Sequence, residues 1–286
     1  MKYFIISLIA TLFTATPVPN TTPPMLFHST NQGEAWYRFD QGLPEGAVPR
    51  KIVANGEDLW LVTDNDGLFV LPATEDTWIP RSGDLPKTVF ATAIIVEGQF
   101  VAIGTYQEGV WVSRDGGEHW YRSVFNLQHN AVWSLELKDG LILAGTDRGV
   151  YRSYDGGISW MGEEEDYYQV SALVEHNGTL FAARRDGIHA SKDGGDSWVQ
   201  VFDERPIYEL FIREGVIYAF GGAVALRSTN GGKAWNTVKA NDLKSPAKSV
   251  PEALWRGTKI NTPEDRAARS IFETKRGWFI GISPGC

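Results

Sequence analysis

The sequence predicts an all-β fold: a six-bladed β-propeller of four-stranded antiparallel blades, its ring closed by a composite blade from the two ends of the chain. Three observations predict it. The pattern Ser-x-Asp/Asn-x-Gly-x-x-Trp occurs as "STNQGEAW" (Ser29 to Trp36), "SRDGGEHW" (Ser113 to Trp120), "SYDGGISW" (Ser153 to Trp160), "SKDGGDSW" (Ser191 to Trp198) and "STNGGKAW" (Ser228 to Trp235). With a degenerate copy, "ATEDTW", ending at Trp78, successive tryptophans fall 42, 42, 40, 38 and 37 residues apart, a period typical of radial or stacked repeats. Finally, "SIFETKRGWFIGISPGC" matches only the first two strands of the unit and "MLFHSTNQGEAW" only the last two, so the ends complete one blade and leave no open sheet edge.

The elements follow in order. Residues 1–16 hold one Lys and then an apolar run too short for a comfortable membrane span, which reads as an export signal or an N-terminal anchor. A Pro/Thr-rich spacer covers 17–24, and 25–286 reads as a single propeller. In "AVWSLELKDGLILAGTDRGVYRSYDGGISW" two alternating apolar runs flank Lys138-Asp139-Gly140, and a turn at Asp147-Arg148-Gly149 leads to a third run that ends at the eight-residue box. The box is then the turn between third and fourth strands. Residues 236–268 replace a short link with an insertion rich in Lys, Pro and polar residues. Within it "TPEDRAARS" carries a helix-start signature, with Thr262 as N-cap, Pro263 at the first helical position, and Glu264 and Asp265 in the first turn.

Composition removes several classes of function. A net charge of -8 excludes a nucleic-acid binder, which needs a basic surface for phosphate. The one cysteine, Cys286, excludes an intramolecular disulfide and a Cys-ligated metal site, and the five histidines show no metal spacing. No phosphate-loop, dinucleotide or nucleophile-elbow motif is present. No metal and no cofactor are expected.

The repeated box resembles the Asp-box, or BNR, repeat of β-propellers, and the resemblance covers nearly all of the chain after the export segment. That group includes sialidases, xyloglucan-degrading enzymes, sortilin-type receptor ectodomains and the photosystem II assembly-factor type. The "DGG" boxes with their terminal Trp are most similar to the last type, usually described with seven blades where this sequence counts six.

In such a turn the acid accepts backbone N–H bonds, the glycines permit positive φ, and the Trp packs between sheets. Asn31 and Asn230 stand where Asp115, Asp155 and Asp193 stand elsewhere, so the position needs an acceptor rather than a charge, and all five read as structural. The turns between second and third strands, and the links between blades, lie on the opposite face, called here the loop face, where function is expected. Ligand-binding candidates there are Tyr106, Glu108, Asp147 and Asp186, beside Asp64, Asp66, Arg148 and Arg185. Tyr168 joins them in a link that begins with the acidic run Glu163 to Asp166, since carboxylates with aromatics suit hydroxyl-rich ligands. Arg50, Arg205 and Arg269 stand near the starts of innermost strands in three consecutive blades and could hold a carboxylate through forked bonds. The resemblance to sialidases, which use three arginines for an acidic sugar, points the same way, but the Arg-Ile-Pro motif of that family is missing.

Two functions compete. One is an exported module that binds or assembles a protein through the loop face. The other is a carbohydrate-active enzyme, a sialidase-like hydrolase or a polysaccharide lyase, at the channel mouth. A secreted or periplasmic monomer is expected, touching a membrane only if an uncleaved anchor holds it there, outside the cytoplasm.

Overall fold

A computed structural model describes residues 26–31, 35–123, 127, 130–162, 169–221, 224–238 and 268–282. Strands β1 (Leu26–Ser29) and β2 (Tyr37–Arg38) open the described chain. Blade I follows as β3 (Pro49–Asn55), β4 (Asp58–Thr63), β5 (Leu68–Leu71) and β6 (Ile79–Pro80). Blade II is β7 (Ala91–Glu97), β8 (Phe100–Thr105), β9 (Val110–Ser113) and β10 (Tyr121–Arg122). Blade III is β11 (Val132–Lys138), β12 (Leu141–Thr146) and β13 (Gly149–Ser153). Blade IV is β14 (Val170–His176), β15 (Thr179–Arg184), β16 (Gly187–Ser191) and β17 (Val199–Phe202). Blade V is β18 (Glu209–Arg213), β19 (Val216–Gly221), β20 (Val224–Ser228) and β21 (Asn236–Thr237). Last come β22 (Ala268–Thr274) and β23 (Gly277–Ile282), which join the first two strands in the order β2-β1-β23-β22 as the closing blade VI. The result is a six-bladed propeller.

Blade III shows three strands among the described residues, with a single bridge between Arg152 and Met161 at its outer edge. Residues 163–168, which follow, lie outside the described residues. The export segment, the spacer, the helix-start signature, the greater part of the 236–268 insertion and Cys286 lie outside the described residues.

Second strands are buried on both faces, which explains runs such as LWLV in β4 and LILA in β12 in place of strict alternation. Blades approach closely at Gly104 and Gly145, where a Cβ would run into Val132 and into Ser134 and Val170 of this and the next blade. The box tryptophans seal the same junctions. Trp120 packs with Trp60 and Val62 of blade I, Trp160 with Val112 of blade II, and Trp198 with Leu143 of blade III. The degenerate box behaves alike, since Trp78 packs on Leu26 and Phe279 of blade VI and donates its indole N–H to Phe39 O at 3.0 Å.

Each first strand begins at the loop face, and first strands of successive blades lie against one another around the axis from β22 through β18. A bulge recurs near that starting end. Pairing with the second strand shifts between Pro49 and Lys51, Ala91 and Ala93, Val132 and Ser134, Val170 and Ala172, and Ala268 and Ser270. The skipped residues are Arg50, Thr92, Trp133, Ser171 and Arg269. In blade V Tyr208 takes this place, donating its N–H to Phe220 O at 2.7 Å just before β18. A bulge re-aims the extra residue, so one residue per blade is turned at the channel mouth.

Candidate functional site

The box turns show how little chemistry they leave free. The Ser hydroxyl donates to the Asp or Asn Oδ1 at 2.7 to 2.9 Å in all five: Ser29 to Asn31, Ser113 to Asp115, Ser153 to Asp155, Ser191 to Asp193 and Ser228 to Asn230. The same Oδ1 accepts the N–H four residues on at 2.9 to 3.0 Å, whether the residue is Asp or Asn. In four of them the second glycine donates its N–H back to the Ser Oγ at 2.8 Å. That glycine sits at φ 90 for Gly117 and 85 for Gly157, a conformation side chains rarely adopt.

The carboxyls respond accordingly. Bonds from His119 and from the Ser113 hydroxyl hold Asp115 far below the usual carboxylate range. Burial pushes Asp155 up, but bonds from Ser159, Ser153 and the Ile158 N–H outweigh it and set it at about 2. The hydroxyl and N–H of Ser197, with Ser191, bring Asp193 to about 2.

On the loop face three carboxylates, those of Asp64, Asp147 and Asp186, are bonded inside their own blades. Asp64 Oδ1 takes the Arg50 Nε–H at 2.9 Å. Asp147 Oδ1 accepts the Ala131 N–H at 3.2 Å, tying the second-to-third turn to the entry of β11. Asp186 Oδ2 meets His189 Nε2 at 3.0 Å. Thr63 and Thr105 end their second strands in one way, donating to a turn glycine carbonyl and accepting the N–H of Asp66 and of Glu108. Glu108 also takes the Arg122 Nε–H on its carbonyl at 3.0 Å, while Arg185 reaches Gln169.

The three arginines are not equivalent. Arg50 and Arg269 occupy the bulge position of adjacent blades, with the Arg269 side chain outside the described residues. Arg205 is exposed in the link before blade V, where Tyr208 holds the bulge. Proximity to a strand start misled the sequence reading, since register decides which residue turns to the mouth. Tyr168 and the run Glu163 to Asp166 lie outside the described residues.

Sequence reasoning named Tyr106 on this face but missed Phe90, Trp133 and Tyr208. Phe90, Tyr106 and Tyr208 are 49%, 53% and 48% exposed, and Tyr106 meets Trp133 edge-on at 5.6 Å. They are spread over blades II, III and V. The missing signal was the bulge column, which brings Trp133 and Tyr208 into line. Arg184 was missed too. It replaces the strand-ending threonine in blade IV and is buried with its guanidinium 5.7 Å from the Trp198 ring.

One further acid lies deeper. Glu136 of β11 is half-buried and accepts the Glu175 N–H of β14 at 3.2 Å. Burial pushes its carboxyl up to about 7, aided by the charge of Glu175 and opposed by that hydrogen bond and by Lys51. Among the described residues no group of three metal-ligating side chains gathers, and no helix is long and apolar enough to cross a membrane.

No family model and no curated protein matches the sequence. The fold is similar to the extracellular domain of a B. thetaiotaomicron protein assigned as a one-component system, at 14% identity and TM-score 0.61 over 93% of this chain and 38% of that one. It is similar to an ancestral GH74 enzyme at 16% identity and TM-score 0.56, over 76% of this chain and 33% of that one. It is also similar to YCF48 from Cyanidioschyzon merolae at 13% identity and TM-score 0.56, over 91% of this chain and 88% of that one. The chain thus spans well under half the length of the first two. Identities this low establish a shared propeller fold and leave the site to be argued from its own residues.

Proposed function

We propose that this chain is an exported Asp-box propeller of the binding or assembly type, which holds a protein partner against its loop face. The observation that carries the reading is the pairing of exposed aromatics with occupied acids on that face. Phe90, Tyr106 and Tyr208 stay open, Tyr106 edge-on to Trp133, while Asp64, Asp147 and Asp186 are engaged within their own blades. Aromatic rings are the side chains enriched at protein interfaces and at their energetic centres. General acid and base catalysis instead needs carboxyls free to exchange protons with a substrate. The likeness to YCF48 over nearly the whole of both chains supports the resemblance to the assembly-factor type of propeller.

A glycan at the same mouth is the second reading. It is favoured by the likeness to an ancestral GH74 enzyme and by Arg50 and Arg269 at adjacent bulges. The test is crosslinking from a photoreactive residue at position 106 in the producing cell, with a Phe90→Ala/Tyr208→Ala variant beside it. A discrete partner, lost in the double variant, is the expected result. Turnover of acidic glycans, abolished by Arg50→Ala or Arg269→Ala and untouched by Arg205→Ala, would replace the assembly reading with the enzymatic one.

A further inference from the structure

On the box face, at the junction of blades III and IV, a cleft of about 400 Å³ opens between the turns. Its walls are Lys138, Asp139 and Leu141 of blade III, Tyr154 of the blade III box, and Leu180 and Lys192 of blade IV. The preceding junction shows why it is open. There Arg114, second residue of the blade II box, reaches over to Asp155 O at 3.2 Å, and a methyl on Gly156 would lie 2.9 Å from its guanidinium. In blade III the corresponding residue is Tyr154, whose ring is 60% exposed. The corresponding Gly194 has Leu141 as its nearest neighbour, at 3.5 Å from a built Cβ. Gly140 and Gly178, also in the wall, have nothing within 4 Å of theirs. The repeat therefore fills one junction with an arginine and leaves the next as a pocket.

We propose that this cleft binds a monoanionic sugar unit, a uronate, by its ring face and carboxylate. The volume lies at the small end of the range for small-molecule sites. Tyr154 supplies a flat apolar surface for the ring, and Leu141 and Leu180 extend it. The wall carries the ammonium groups of Lys138 and Lys192 and the carboxylate of Asp139. Glu175 holds the Lys138 ammonium at 3.1 Å and takes the Gly178 N–H at 2.6 Å, which leaves Lys192 as the wall's cation for a ligand. A single ammonium suits one carboxylate better than a phosphate dianion, and Asp139 can accept from sugar hydroxyls. The site is on the face opposite Tyr106 and Tyr208, so it stands or falls apart from the function proposed above.

The test is calorimetric titration of the full chain with galacturonate, digalacturonate, neutral galactose and a nucleoside monophosphate. Galacturonate and its dimer are expected to bind and galactose not to bind at roughly 20 mM. Lys192→Gln and Tyr154→Ala should each weaken the uronate about tenfold or more, Tyr154→Phe should leave it unchanged, and all three should melt like the parent. Equal binding of galactose, binding of the nucleotide alone, silence toward uronates, or insensitivity to both weakening variants would each overturn the assignment.

Discussion

Replacing Glu136 with Gln should stabilise the protein only where the acid would ionise. The carboxyl is pushed up to about 7 from an ordinary 4.5, so the folded state holds its proton through a range in which the unfolded chain has released it. More protons bound when folded means that unfolding free energy falls as pH rises between those two values. A shift of this size amounts to about 3 kcal/mol at most, using 1.36 kcal/mol per pH unit, and most of it is lost between about pH 5 and pH 8. The Gln carbonyl still accepts the Glu175 N–H and never ionises, so the variant keeps the geometry without the penalty. His28, lowered chiefly by burial, costs stability as pH falls below the ordinary histidine range, but it acts equally in both proteins and drops out of the difference. Thermal melting of parent and Glu136→Gln across that interval is the assay. The two melting temperatures should nearly coincide at the acid end and separate toward pH 8 by roughly 6 to 12 °C, from about 2 to 4 °C per kcal/mol in a chain of this size. A gap that stays constant with pH would show that the burial argument is wrong, whatever its size.

Two further changes test the scaffold. Ser153→Ala removes the acceptor of the buried Gly157 N–H and the donor to Asp155 while leaving the turn glycines in place. It should cost about 1 to 3 kcal/mol in denaturant unfolding, whereas Asp155→Asn should cost less, because Asn31 and Asn230 already make the Oδ1 bonds and only the Ser159 bonds to Oδ2 are lost. Arg276→Ala removes a guanidinium that donates to Pro72 O at 3.0 Å and Glu75 O at 2.8 Å, joining the closing blade to blade I. A loss of about 2 kcal/mol and faster proteolysis at the blade VI and blade I junction are expected, and unchanged proteolysis would remove that junction from the closure.

The blades were legible because their markers are local. Two glycines that need positive φ and a tryptophan that needs a neighbour cannot drift within a turn, so the boxes set the phase of every strand. The composite blade was legible for the same reason, since each half lacks what the other carries. The channel mouth was harder to read. Arg205 looked equivalent to Arg50 and Arg269 by distance from a strand, yet the bulge belongs to Tyr208, and only pairing with Phe220 reveals it. Nor does the sequence say which acids are occupied. Asp147 reaches the Ala131 N–H sixteen residues away, a contact set by how β12 returns beside β11. The box-face cleft was invisible for a subtler reason: Arg114 and Tyr154 look like interchangeable second residues of a box until their reach across a junction is compared.

The closing blade has a consequence for how the molecule is made. Five blades draw their strands from contiguous stretches of chain and can condense one after another as the polypeptide emerges. Blade VI cannot, because β1 must find β23, and the His28 contact to Arg276 O at 2.8 Å joins residues 248 positions apart. Until the last strands arrive, the apolar faces of β1 and of blade I, with Trp78 between them, have no cover on that side. Long-range pairings of this kind are slow and leave sticky surface exposed meanwhile. Assembly of the ring is thus gated by its final fifteen or so described residues, and a chain halted before them is a substrate for chaperones or proteases, however well its first five blades have formed.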